Sequence, residues 1–81
     1  MNQKEFNRKL AEATAHVDAA DLESEYWVGV IWGLRRAWLG KAEISDYEHA
    51  HLIEEPDRDR PYLMARHRGY KDGLAFGEDE S

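Results

Sequence analysis

The residues of this chain that could do chemistry are four histidines, three serines and a set of carboxylates; cysteine is absent. Glu48-x-x-His51, with Glu55 one turn further on, aligns three possible metal ligands on one helical face. Carboxylate-bridged di-iron bundles use that Glu-x-x-His pattern, but they need it twice, with two further glutamates on facing helices. The chain holds one copy, because His67 has no glutamate three residues before it. His49 and His51 point to different sides of a helix, so a solvated face is the better account of this group. His49 shares its side with Leu52 and Ile53, which implies a partly buried, hydrogen-bonded imidazole. His16 lies at the rim of the first helix's apolar stripe. No glycine-rich phosphate loop is present, and no serine carries the signature of an activated nucleophile. The expectation is a protein that is not an enzyme, with no cofactor and no metal.

The elements that position these residues follow from apolar spacing and capping signals. The 81 residues are enough for one domain. Without cysteine, the usual supports left are good packing, a non-thiolate metal or an oligomer. No strand pattern stands out, and the spacing predicts an all-α fold: a compact bundle of about four helices over 1–77, followed by an acidic disordered tail over 78–81. Asn2 with Glu5 opens the first helix, whose apolar stripe is Phe6, Leu10, Ala13 and Val17. Asp18 or Asp21 caps the second helix, which runs to Leu39 and stops at Gly40. Ser45-x-x-Glu48 is a capping box for a short third helix that Pro56 ends. Pro61 opens the last helix, and Gly77 stops it. No apolar run approaches the roughly 18 residues of a membrane span, and no basic-then-apolar leader is present, so a cytoplasmic protein is expected.

Glycine is the unexpected residue inside these helices. Gly29 and Gly33 interrupt the second helix, and Gly69 and Gly73 interrupt the last with the same spacing, each pair followed by leucine. Each costs roughly 0.5–1 kcal/mol relative to alanine. Four together cost about 2–4 kcal/mol, against a total stability on the order of 5–15 kcal/mol. Such a cost implies close packing of backbones. Beyond the two glycines and the leucine the segments share nothing, so they do not form a sequence repeat.

On a helical wheel the second helix has two apolar faces. Trp27, Val30, Ile31, Leu34 and Trp38 form a core face, with Gly29, Gly33 and Gly40 on its flank. Val28, Trp32 and Leu39 lie on the far side with Arg35, and Arg36 adjoins them. That far side is either buried internally or meets a partner, a second copy among the candidates; tryptophan and arginine are the residue types that favour interfaces. On the last helix, Tyr62, Leu63, Gly69, Tyr70, Gly73 and Leu74 share one side. Arg66 lies among them and calls for a carboxylate, with Glu23 and Glu25 as candidates. Met64, Arg68, Lys71 and Ala75 point away.

Charge is unevenly distributed within the net −6. Residues 42–57 hold Glu43, Asp46, Glu48, Glu54, Glu55 and Asp57 and no lysine or arginine, whereas residues 58–71 hold five basic side chains against Asp59. Overall acidity disfavours direct nucleic-acid binding.

In size, acidity, lack of cysteine and lack of a catalytic motif, the chain resembles the small acidic inhibitors of host defence made by phages and mobile elements, the anti-CRISPR proteins among them. That resemblance implies a stoichiometric inhibitor occupying a surface of a nuclease or its nucleic-acid-binding subunits, with the run from Glu43 to Asp57 presenting carboxylates in place of phosphates. From the residues alone, a structural or adaptor subunit docking its apolar helix into a larger assembly is the alternative.

Overall fold

Two of the four helices touch backbone to backbone. The structure is a computed structural model that describes residues 2–17 and 22–78, of Glu78 the backbone alone. Its elements are α1 (Gln3–Ala15), α2 (Leu22–Leu39), a 3-10 turn (Gly40–Ala42), α3 (Asp46–Ile53) and α4 (Pro61–Glu78). No strand occurs among the described residues, and the architecture is a single-domain all-α bundle.

The close pair is α2 and α4. A Cβ built on Gly29 would collide with the Arg66 carbonyl oxygen and lie 2.8 Å from the Tyr70 nitrogen. On Gly33 it would meet the Tyr70 carbonyl oxygen and lie 2.8 Å from the Cα of Gly73. Gly69 and Gly73 face the carbonyls of Tyr26 and Val30 in the same way. Each glycine therefore aims a Cα–H bond at a carbonyl of the facing helix, an arrangement that rewards close approach. The partners rise together along both helices (Tyr26 with Gly69, Val30 with Gly73, Ala37 with Gly77), so α2 and α4 run parallel.

Helix α1 packs antiparallel on the core face of α2. Asn2 caps it by accepting from the Glu5 nitrogen at 2.8 Å. Phe6 stacks on Trp38 with ring centroids 5.5 Å apart, and His16 stacks on Trp27 at 4.3 Å. Phe6, Ala13, Val30 and Leu34 are the buried centre, with Leu10, Trp27, Ile31 and Trp38 packed around it. Val17 falls beyond the end of α1 and does not extend its stripe.

Helix α3 covers the other side of the α2–α4 pair. Gly40, at φ +77°, ends α2 in the left-handed conformation that glycine accepts without strain. Nothing lies within 4 Å of a Cβ there, so Gly40 is a terminator and takes no part in the glycine contact. Ser45 and Glu48 form the full capping box of α3. The helix ends at Ile53, before Pro56, because Glu54 is already extended. Residues 54–60 then lead to α4. Two further expectations need correction. Gly77 does not stop α4 but packs on Ala37 inside it, and the helix reaches Glu78. Tyr62 and Leu63 are exposed (51% and 38%), although they share a side of α4 with the buried Tyr70. The cap candidates Asp18 and Asp21 and the tail 79–81 lie outside the described residues.

Alanine at Gly33, Gly69 or Gly73 should destabilise the fold by about 1–3 kcal/mol or more, because the obstacle is backbone that cannot rotate away. The melting temperature should fall by roughly 4–8 °C per kcal/mol, and Gly33→Leu should prevent folding. Gly40→Ala, which meets only the conformational cost of about 1 kcal/mol, is the control. Equal losses at Gly40 and Gly33 in thermal melts would contradict the close-contact assignment.

Candidate interaction surfaces

Half of the acidic segment is committed to holding α3 in place. Arg36 donates from Nη1 to the Ile44 carbonyl at 2.7 Å and from Nη2 to Asp46 at 2.9 Å. Lys41 reaches the other oxygen of Asp46 at 3.3 Å. Arg36 and Lys41 together hold the Asp46 carboxyl below its ordinary range. Glu43 pairs with Arg35 at 3.7 Å, and Glu48 accepts from the backbone nitrogen and hydroxyl of Ser45. Glu54, Glu55 and Asp57 differ: they are exposed on the connection between α3 and α4 and have no ion-pair partner among the described residues. Ile53, Tyr62 and Leu63, all exposed, flank them in sequence.

The far side of α2 is partly used. Trp32 is half-buried, with the Arg66 guanidinium 5.2 Å from its ring centroid. Arg66 also donates from Nε and Nη2 to one oxygen of Glu25, at 3.0 and 2.6 Å, which identifies Glu25 as its carboxylate partner. Arg35 and Arg36 serve the turn after α2, as above. Val28, half-buried, and Leu39, exposed, lie on the same side of α2 as Trp32. The position of Arg36 on the helical wheel suggests an interface, but its guanidinium is engaged within the fold. Its internal role was not readable, because the turn that brings Ile44 back to it has no strong sequence signature.

Two of the histidines, His49 and His67, are tethers between α3 and α4. His49 Nδ1 shares a 2.5 Å hydrogen bond with the hydroxyl of Tyr70, a fully buried side chain. His67 is buried and donates from Nδ1 to the Leu52 carbonyl at 3.2 Å; a carbonyl only accepts, so this nitrogen carries the proton. His51 lies edge-on to the exposed Tyr47, away from Glu48's capping role. No three His, Asp or Glu side chains among the described residues stand close enough to hold a metal ion. A small depression of about 140 Å³ between α3 and α4 includes His51, His67, Arg66 and Glu54. No helix of the described chain is long and apolar enough to cross a membrane.

One contact that sequence reasoning missed closes the far edge of the α2–α4 pair. Tyr26 donates to Asp72 Oδ2 at 2.5 Å, across 46 residues of sequence. Burial, then the Asp72 carboxylate, pushes the Tyr26 phenol up to about 12. Burial also raises Tyr70. With the helices parallel, Tyr26 and Asp72 fall at neighbouring levels, a relation invisible until the pairing is known.

No protein-family model matches this chain, and no curated protein or solved structure is detectably similar to it. The surfaces are therefore judged on their own chemistry.

The tyrosine contact has a measurable consequence at alkaline pH. The neutral phenol is favoured in the folded state, so the contribution is complete below pH 10, the ordinary value, and is lost as pH rises toward about 12. The stability advantage of wild type over Tyr26→Phe, measured by urea unfolding, should shrink across that window. An advantage that stays constant from pH 9 to about 12 would contradict the Tyr26–Asp72 assignment.

Proposed function

We propose that this chain is a non-enzymatic protein-binding module, an inhibitor from a phage or mobile element that blocks a host defence complex in the manner of anti-CRISPR proteins. The observation that carries this reading is the corner formed by residues 53–63. Glu54, Glu55 and Asp57 stand there without ion-pair partners beside exposed Ile53, Tyr62 and Leu63. Unpaired carboxylates steer toward a basic surface, and adjacent apolar side chains supply the contact area that charge alone does not. Glu43, Asp46 and Glu48 extend the negative field but are already engaged within the fold. The partner is a protein with a basic groove, the kind of surface that nucleic-acid-binding subunits present. Direct nucleic-acid binding through this corner is disfavoured by its own charge.

A second reading is favoured by the far side of α2. Val28, Trp32, Arg35 and Leu39 would let the helix dock into a larger assembly as an adaptor, or meet a second copy. In that case Trp32→Asp should halve the mass found by sedimentation, and a wild type that sediments as a monomer contradicts the homodimer.

The first reading is tested by plating a targeted phage on CRISPR-immune cells that express the protein. Wild type should raise plaque counts by about tenfold or more. The variant Glu54→Lys, Glu55→Lys, Asp57→Lys should not, although its far-UV circular dichroism is unchanged. Equal protection by both proteins, or none by wild type, would contradict it.

A further inference from the structure

The connection before α4 and the outer side of that helix carry exposed cations with no ion pair among the described residues. Arg58, Arg68 and Lys71 are exposed and lack ion-pair partners among the described residues, in a chain of net charge −6. They line two depressions of about 620 and 340 Å³ that share Glu55, Met64 and Arg68. Leu22, Pro61, Met64 and Ala65 supply the apolar lining of the larger one, and Lys71 and Asp72 lie at the far end of the smaller. From Pro61 to Asp72 the helix rises about 16 Å, the span of roughly five residues of extended chain.

Charge complementarity selects the occupant. Two carboxylates line the same depressions, Glu55 in both and Asp72 in the smaller, where it accepts from the Tyr26 hydroxyl and keeps its charge. A continuous row of phosphates would run against Glu55 and the net negative charge, whereas separated carboxylates can reach Arg58, Arg68 and Lys71 around it. Met64, a flexible and polarisable side chain, can seat one apolar residue against Leu22. We propose that this groove docks an extended acidic segment of another protein, about five residues long with one apolar side chain at its centre. This site is opposite in sign to the acidic corner and shares Glu55 with it, but it is tested at Arg68 and Lys71, which lie outside that corner.

The probe is the capped pentapeptide Glu-Glu-Leu-Glu-Glu, titrated into isotope-labelled protein and followed by amide chemical shifts. Saturable shifts should cluster at Leu22, Met64, Ala65, Arg68 and Lys71. The dissociation constant should rise about tenfold or more in Arg68→Glu/Lys71→Glu, and also between about 50 and 500 mM salt. Arg58→Glu, in the exposed connection, is the second variant if the double one fails to fold. The proposal is overturned if the pentapeptide gives no saturable shifts. It is also overturned if Lys-Lys-Leu-Lys-Lys binds equally, or if a thymidine decanucleotide binds more tightly at the same residues. Salt-sensitive self-association that the charge reversals abolish would identify a second copy as the occupant and overturn it too.

Discussion

Four glycines allow α2 and α4 to approach until backbone meets backbone, and the rest of the molecule is arranged around that contact. Because the two helices run parallel, the chain must return along nearly the full length of α2 before α4 can start. The return is long: 18 residues of helix rise about 27 Å, whereas the 8 residues of α3 recover only about 12 Å. Residues 54–60 must cover the remainder in an open conformation. That requirement explains why this connection offers its side chains to solvent instead of folding them onto neighbours. The carboxylates Glu54, Glu55 and Asp57 are thus exposed by topology as well as by their own polarity.

The same contact explains how polar groups are distributed. Glycine supplies no side chain to fasten the helices laterally, so fastening passes to the edges: Tyr26 with Asp72 on one, Arg66 with Glu25 and Trp32 on the other. Arg36, His49 and His67 then hold the returning segment to both helices. Glu25, Glu43 and Asp46 are paired, whereas Glu54, Glu55, Asp57, Arg58, Arg68 and Lys71 have no ion pair among the described residues. Two unneutralised surfaces of opposite sign result, with Glu55 at their border.

Much of the scaffold was legible from residues whose role is local. The Asn2 cap, the Ser45 box and the stop at Gly40 each depend on a few adjacent residues and a known backbone preference. The close packing of Gly29, Gly33, Gly69 and Gly73 was legible because their cost demanded a reason, and the carboxylate for Arg66 because a guanidinium on an apolar face needs one. The misses were of another kind. Tyr62 and Leu63 have the right period for burial, but a period does not say whether a neighbour covers that turn of the helix. Gly77 looked like a stop because glycine often is one; here Ala37 on the parallel helix gave it a packing role. Of the acidic residues, which ones are paired depended on Arg36 and Lys41, and so on a turn with no strong signature.

The central claim is that the α2–α4 contact is the most stable unit of the fold, with α1 and α3 added to it. Native-state hydrogen exchange tests it directly. The amides of Val30, Leu34, Tyr70 and Leu74 should exchange only through global unfolding, and those of α3 should open at lower free energy. Protection in α1 or α3 that outlasts protection at Val30 and Tyr70 would contradict it.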